Sequence, residues 1–462
     1  MTGPASVATA WMDRLWDPTV GLLVNPPGSF DDAAEPRTVH LVRETAWYGL
    51  ALLRRDGPGD RERAEQALAA VLDQQYDEPG RPWHGTFVRF PEWPAPQPGA
   101  VEWLDYDPNW RQFVGTALAV AVTDFALDAT LVTRARAAID LAVSAEPADR
   151  VPPTYANIAL LRAWLDAWSG TRDVTYAAAV ADAFFRHGCF TEHNSPTYYG
   201  IDLLALGLWR RPDARADLQE LGSAMEEALW ADIARWFHPG LGNLCGPYSR
   251  AYGMDLHAYV SGLGLALWCA GLAAPLPDLA EPAVAHGHDL CVTPMLDHVG
   301  VRVPAAVRPA LERFQGPHAV NQLVDDDPPR RATGWLEEDL LVGAELGESG
   351  LHARGQFHPV TVHWRLPDGG VGWLRLVHHG PTGAVASTRR LDIECRPHPR
   401  HGPRPHHWES NVAATSVEQA RWSFPGLTVA VTTDAPLADP GTRTYGAHAR
   451  GATRAALAFV PG

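Results

Sequence analysis

The segment Thr191-Glu192-His193-Asn194-Ser195-Pro196-Thr197-Tyr198-Tyr199 gathers a carboxylate, an imidazole, an amide and two phenols. An amide such as Asn194 can donate N–H to a substrate carboxylate and so acidify the carbon beside it. Tyr198 or Tyr199 can then move the proton. The same letters also read as a helix start, with Asn194 or Ser195 as cap and Pro196 in the first turn. A second segment, Cys245 to Asp255 with His257 beyond it, sets Arg250 between Tyr248 and Tyr252. A guanidinium flanked by phenols is a carboxylate clamp beside proton donors. Asp255 reads either as a substrate ligand or as an ion-pair partner of Arg250. A third segment, Trp83-His84-Gly85-Thr86-Phe87, offers an imidazole able to act as acid or base near neutrality, and an indole able to stack on a sugar face. In the fourth, Asp105 to Arg111, Asp107 and Asn109 are caps or ligands and Arg111 projects from a first helical turn. A carboxylate here and Glu192 would make a hydrolase acid/base pair.

These stretches precede segments of helical periodicity. Helices are predicted at Val39–Arg54, Asp60–Gln75, Trp110–Leu127, Ala129–Ser144, Tyr155–Trp168, Val174–Arg186, Pro196–Trp209, Ala214–Trp236 and Met254–Ala270. One member of each pair is apolar all round, as in IDLLALGLW, and the other amphipathic, as in DRERAEQALAAVLDQQ. A helix apolar on every face is buried on every face, whereas an amphipathic one lines the outside. Alternation of the two predicts concentric rings, a mainly α fold built as an (α/α) toroid of about six hairpins over residues 1–330. Its loops would bring the four polar stretches to one rim. From about residue 335 to 462, short runs such as VTVHWRL and LTVAVTT predict an antiparallel, sandwich-like β-domain. Pro275–Asp327 reads as a last hairpin and linker, and Arg396–His407 as a long loop.

Composition narrows the classes. The 462 residues carry a net charge of -16, which disfavours nucleic acid and anionic membranes as partners. Eighteen tryptophans suit a large core, and equally an aromatic-walled cavity. The five cysteines, Cys189, Cys245, Cys269, Cys291 and Cys395, show no CxxC spacing, as expected of buried thiols in a reducing compartment. With no signal peptide or membrane span legible, a cytoplasmic enzyme is expected. His286 and His288 are one residue apart, with no third ligand at telling spacing. His378, His379, His406 and His407 read as surface histidines of the β-region that could meet in space. No metal or cofactor is expected, and no phosphate-loop, dinucleotide or GxSxG pattern occurs.

In architecture, and in the residue kinds at His193, Asn194, Tyr198, Tyr199, Tyr248 and Arg250, the chain resembles the toroid-plus-β-sheet polysaccharide lyases of the heparinase II/III and alginate-lyase-like group. The resemblance implies β-elimination on a uronic-acid-containing saccharide. Asn194 would neutralise the uronate, and His193, Tyr199, Tyr248 or His84 would move protons. Trp83, Asn109, Arg111, Glu192, Arg250, Tyr252, Asp255 and His257 are expected around the substrate. HNSPTYYG is not a motif of characterised lyases, which leaves room for an oligosaccharide or another small molecule. Two alternatives compete: an inverting six-hairpin glycoside hydrolase using Asp107, Glu192 or Asp255, and a dehydratase or cyclase acting on an apolar small molecule.

Overall fold

The computed structural model describes residues 3–27, 38–170, 175–281, 283–347, 355–377, 381–396, 407–433, 444–445 and 453–462. His378, His379, His406 and most of the Arg396–His407 stretch lie outside these residues.

Among the described residues, the α-helices of seven residues or more are α1 (Pro4–Asp13), α2 (Val42–Arg55), α3 (Asp60–Leu72), α4 (Trp110–Asp124), α5 (Ala129–Ser144), α6 (Ala156–Trp168), α7 (Thr175–Phe185), α8 (Tyr199–Trp209), α9 (Ala216–Trp236), α10 (Gly262–Cys269) and α11 (Thr293–Val299). Every residue of α8 is buried, whereas α3 buries one stripe, Asp60, Ala64, Ala67, Leu68, Val71 and Leu72. Six helices touch in a closed cycle, α2 to α4 to α6 to α8 to α10 to α11 and back to α2. Outside them, α3 packs on α2 and α5, and α5 on α4. The difference between inner and outer helices is thus one of how many faces can be hidden from water. Where α8 crosses α10, a Cβ on Gly200 would lie 2.3 Å from the Gly262 carbonyl oxygen, so only glycine permits the approach.

Two helix starts fall later than periodicity predicts. The predicted helix Pro196–Trp209 begins at Tyr199, because Asn194 holds a left-handed φ of 52° and the Ser195 hydroxyl accepts from Tyr198 N–H. The predicted helix Met254–Ala270 begins at Gly262, where the Ser261 side chain accepts from Gly264 N–H. Upstream, Leu256 N–H is drawn to the Asn243 side chain and the Met254 carbonyl to His363, so the backbone there serves loops instead of a helical ladder.

The strands form mostly one antiparallel sheet of 13 strands among the described residues. Its first strand, His318–Asp326, lies inside the stretch read as hairpin and linker. Helix at 37% and strand at 23% make the fold mixed, not mainly α. Val371–Val377 and Leu427–Thr433 alternate buried and partly exposed residues, as a half-covered sheet requires. Leu340–Gly347 and Val360–Arg365 are buried almost throughout, which requires cover on both faces.

The chain divides into two compact units, each discontinuous in sequence. The first comprises 1–183, 199–226 and 258–302, and holds the helix cycle. The second comprises 184–198, 227–257 and 303–462, and holds the sheet. Its non-strand segments lie against the sheet: a Cβ on Gly334, in the neighbouring strand Pro329–Glu337, would meet the Trp236 ring, and one on Gly343 would lie 1.8 Å from the Gly246 carbonyl oxygen. No helix among the described residues is long and apolar enough to cross a membrane.

Candidate functional site

Two of the polar stretches, Thr191–Tyr198 and Cys245–His257, belong to the second unit and are bound to each other there. Arg330, paired through a buried two-point contact with Glu345 across the sheet, also donates to the Thr191 carbonyl at 3.0 Å. The Asn194 amide donates to the carbonyls of Cys245 at 2.6 Å and Pro247 at 2.8 Å. Ser195 Oγ donates to the Arg250 carbonyl, and Ser249 N–H to the His193 carbonyl. Downstream, Tyr248 exchanges backbone hydrogen bonds with His358, and Ala251 N–H donates to the Gln356 carbonyl. The loop of Arg250 is therefore held on one side by the Thr191 segment and on the other by the sheet.

That framework presents a polar cluster. Arg250 Nη1 donates to Glu192 Oε1 at 3.1 Å and Nη2 to the Tyr198 phenol at 3.0 Å. Tyr198 Oη lies 3.1 Å from Tyr252 Oη, and the guanidinium carbon sits 5.0 Å from the Tyr198 ring centroid. Thr197 Oγ1 accepts from Tyr252 N–H. Glu192 is buried, while Arg250, Tyr198 and Tyr252 keep part of their surface open. Burial pushes the Glu192 carboxyl above its ordinary value, with Arg250 opposing. Burial, with Tyr252 beside it, also pushes the Tyr198 phenol well above its usual range. The cluster thus offers a cation, two touching phenols and a carboxylate that gains from sharing a proton.

Other predicted site residues of this unit are placed differently. His193 is fully enclosed, edge-on to Trp236, and burial with the charges of Arg330 and Arg235 lowers it to about 3. Tyr248 is fully buried and donates to the Leu244 carbonyl at 2.6 Å. Asp255 does not pair with Arg250. It accepts from Asn243 at 3.1 Å and lies 3.0 Å from His257 Nδ1, and these hydrogen bonds outweigh burial and keep its carboxyl low. His257 is exposed.

The remaining predicted residues sit in the first unit. Trp83 is 2% exposed and packs edge-on against Tyr106, which leaves no ring face for a sugar. The His84 imidazole is partly open, with Nδ1 3.7 Å from Asp77. Arg111, 1% exposed, ties loops together by donating to the Pro108 and His84 carbonyls, and burial lowers it to about 10. Asn109 donates to the Tyr155 hydroxyl and accepts from Arg150, and Tyr199 is buried at the start of α8. Asp107 lies nearby with its carboxyl raised by burial.

Sequence reasoning named His407 among the histidines of the β-region but not the cluster it joins on the sheet. Arg375 donates to Glu409 at 2.6 Å and lies 3.4 Å from His358 Nδ1, while His407 bonds the other Glu409 oxygen. Glu409 is held down at about 2 by His407 and Arg375. Alternate positions on facing strands could have been paired only with the register known. Among the described residues, the group with metal-ligand spacing lies in the first unit, at His286, His288 and Asp289.

Fold and site together define a two-unit protein, a cycle of buried helices and a broad antiparallel sheet, with a phenol–guanidinium–carboxylate cluster in the sheet unit. A family described as a domain of unknown function (DUF8769) matches residues 5–299, and the chain belongs to it. No curated protein matches. Among solved structures, the chain is similar to a Streptomyces coelicolor chondroitin AC lyase in complex with chondroitin sulphate, at 14% identity and TM-score 0.35 over 99% of this chain and 76% of that one. It is also similar to a heparan sulfate lyase HepC mutant from Pedobacter heparinus, at 7% identity and TM-score 0.30 over 91% and 76%.

Proposed function

We propose that the second unit carries a lyase site that cleaves a uronic-acid-containing saccharide by β-elimination. The observation that carries this reading is the contact of Arg250 with both Glu192 and Tyr198, with Tyr252 touching Tyr198. In the reaction, Arg250 neutralises the uronate carboxylate, which acidifies the α carbon C5. Tyr252, as phenolate, takes the C5 proton. The C–H electron pair forms the C4=C5 double bond, and the C4–O bond breaks toward the leaving sugar. That oxygen takes the Tyr198 proton, which burial keeps in place until then. Tyr252 returns its proton across the 3.1 Å contact and the pair is reset. Asn194 acts as a positioning residue here, because both its N–H groups go to backbone carbonyls.

A hydrolase reading has one observation in its favour: Glu192 is pushed up and Asp255 held down, the pattern of a general acid and a general base. The two readings separate on product. Oligosaccharides bearing hexuronates, incubated with the full chain, should give an unsaturated product absorbing in the near ultraviolet. Tyr198→Phe and Arg250→Met should each lower the rate by about 10²–10⁴. New reducing ends without the absorbance would replace the lyase by a hydrolase. No cleavage across the panel would end both.

A further inference from the structure

In the first unit, the turn after Ala285 is strained and enclosed. His286 holds a left-handed φ of 54°, a conformation that costs a non-glycine residue free energy and clusters at functional sites. Gly287 follows because a Cβ there would stand 3.2 Å from the Trp11 ring. The short helix Gly287–Val292 then begins, with Asp289 N–H donating to the His286 carbonyl. This geometry turns His286, His288 and Asp289 toward one another, so that one ligand atom from each lies within 4.8 Å of the others. The sequence shows His-x-His alone, and the third ligand is the adjacent Asp289.

The spacings are those of groups around an ion. His288 Nε2 lies 3.6 Å from Asp289 Oδ1, and His286 Nδ1 lies 3.9 Å from Asp289 Oδ2. Both exceed a hydrogen bond. Bonds of about 2.0–2.2 Å to a tetrahedral zinc ion put neighbouring ligand atoms about 3.3–3.6 Å apart, close to these separations. A second observation comes from α2. Glu44 is 2% exposed, and its Oε1 is taken by Arg43. Its Oε2 is buried with no hydrogen-bond partner among the described residues. Glu44 is also the strongest charge acting on His288. Arg43 Nη2 contacts Glu44 Oε1 and lies 3.8 Å from Asp289 Oδ1, which brings the two carboxylates to one guanidinium.

We propose that His286, His288 and Asp289 form a binding site for a divalent transition-metal ion of the zinc class, with the buried carboxylate of Glu44 nearby. Two imidazoles with carboxylates suit zinc over calcium or magnesium, which prefer all-oxygen shells. The site stands apart from the lyase reading and survives its failure.

The test uses the full chain, stripped with a chelator and titrated with Zn²⁺ or Co²⁺ alone. One ion per chain is expected, with visible d–d bands for cobalt. Asp289→Asn, which keeps the side chain's shape, and His288→Ala should each weaken binding by about 100-fold or more, while Asp77→Asn should not. Circular dichroism of the stripped variants checks that they remain folded. Bound zinc should also protect His286 from acylation mapped by mass spectrometry, a readout available on the wild-type chain. Less than one ion bound at micromolar metal, or unchanged affinity in folded Asp289→Asn protein, would overturn the proposal.

Discussion

Removing either partner of the Glu192–Arg250 pair should have unequal effects. At 3.1 Å the Coulomb attraction at an effective dielectric of 20 is about 5 kcal/mol. Burial nevertheless raises the Glu192 carboxyl, so desolvation outweighs the attraction and the pair contributes little net stability. Glu192→Gln keeps an oxygen acceptor for Arg250 and removes the buried charge, so its stability should lie within about 1 kcal/mol of wild type. Arg250→Met strands the carboxylate and should cost about 3 kcal/mol at pH 8. The double variant should recover most of that loss. In the folded chain Glu192 titrates above its ordinary 4.5, so between 4.5 and the raised value the folded state holds a proton that the unfolded state has released. This group's contribution is therefore greatest below 4.5 and declines as pH rises. Stranding Glu192 raises its carboxyl further, so the Arg250→Met deficit should shrink as pH falls from 8 to 5. The assay is urea unfolding of all four proteins at both pH values. A Glu192→Gln loss as large as that of Arg250→Met, with no pH dependence in either, would refute the reasoning.

Asn194→Ala should cost about 2–3 kcal/mol through two lost hydrogen bonds, and Asn194→Asp more, since its oxygens would face the Cys245 and Pro247 carbonyls; urea midpoints rank them. Gly200→Ala should cost about 3 kcal/mol or more by driving α8 from α10, whereas Gly3→Ala, with nothing within 4 Å, should leave the melting temperature unchanged. His193 and His358 are both lowered by burial to about 3 from 6.5. Their contribution is full above 6.5 and is lost as pH falls toward 3, so His358→Gln should make acid unfolding shallower, read by circular dichroism.

The helix periods were legible because burial of one stripe or of all faces leaves a mark on adjacent letters. Ala129–Ser144 begins where Asp128 caps it, a signal held within four residues. The start of α8 was misjudged because the strain at Asn194 is imposed by carbonyls some fifty positions away. Tyr248 and Trp83 carry the right chemistry for a site, yet each is buried, and burial is a property of neighbours. Glu44 could not be tied to His288 across more than two hundred residues of chain.

Residue chemistry and local period, both short-range, were settled by the letters themselves: which segments coil, which alternate, and where phenols and guanidinium groups are available. Which of those groups meet was decided by the folded chain alone. Packing of the Thr191 and Cys245 loops against the sheet fixes every distance at Arg250, and no local signal encodes a contact made by long-range burial.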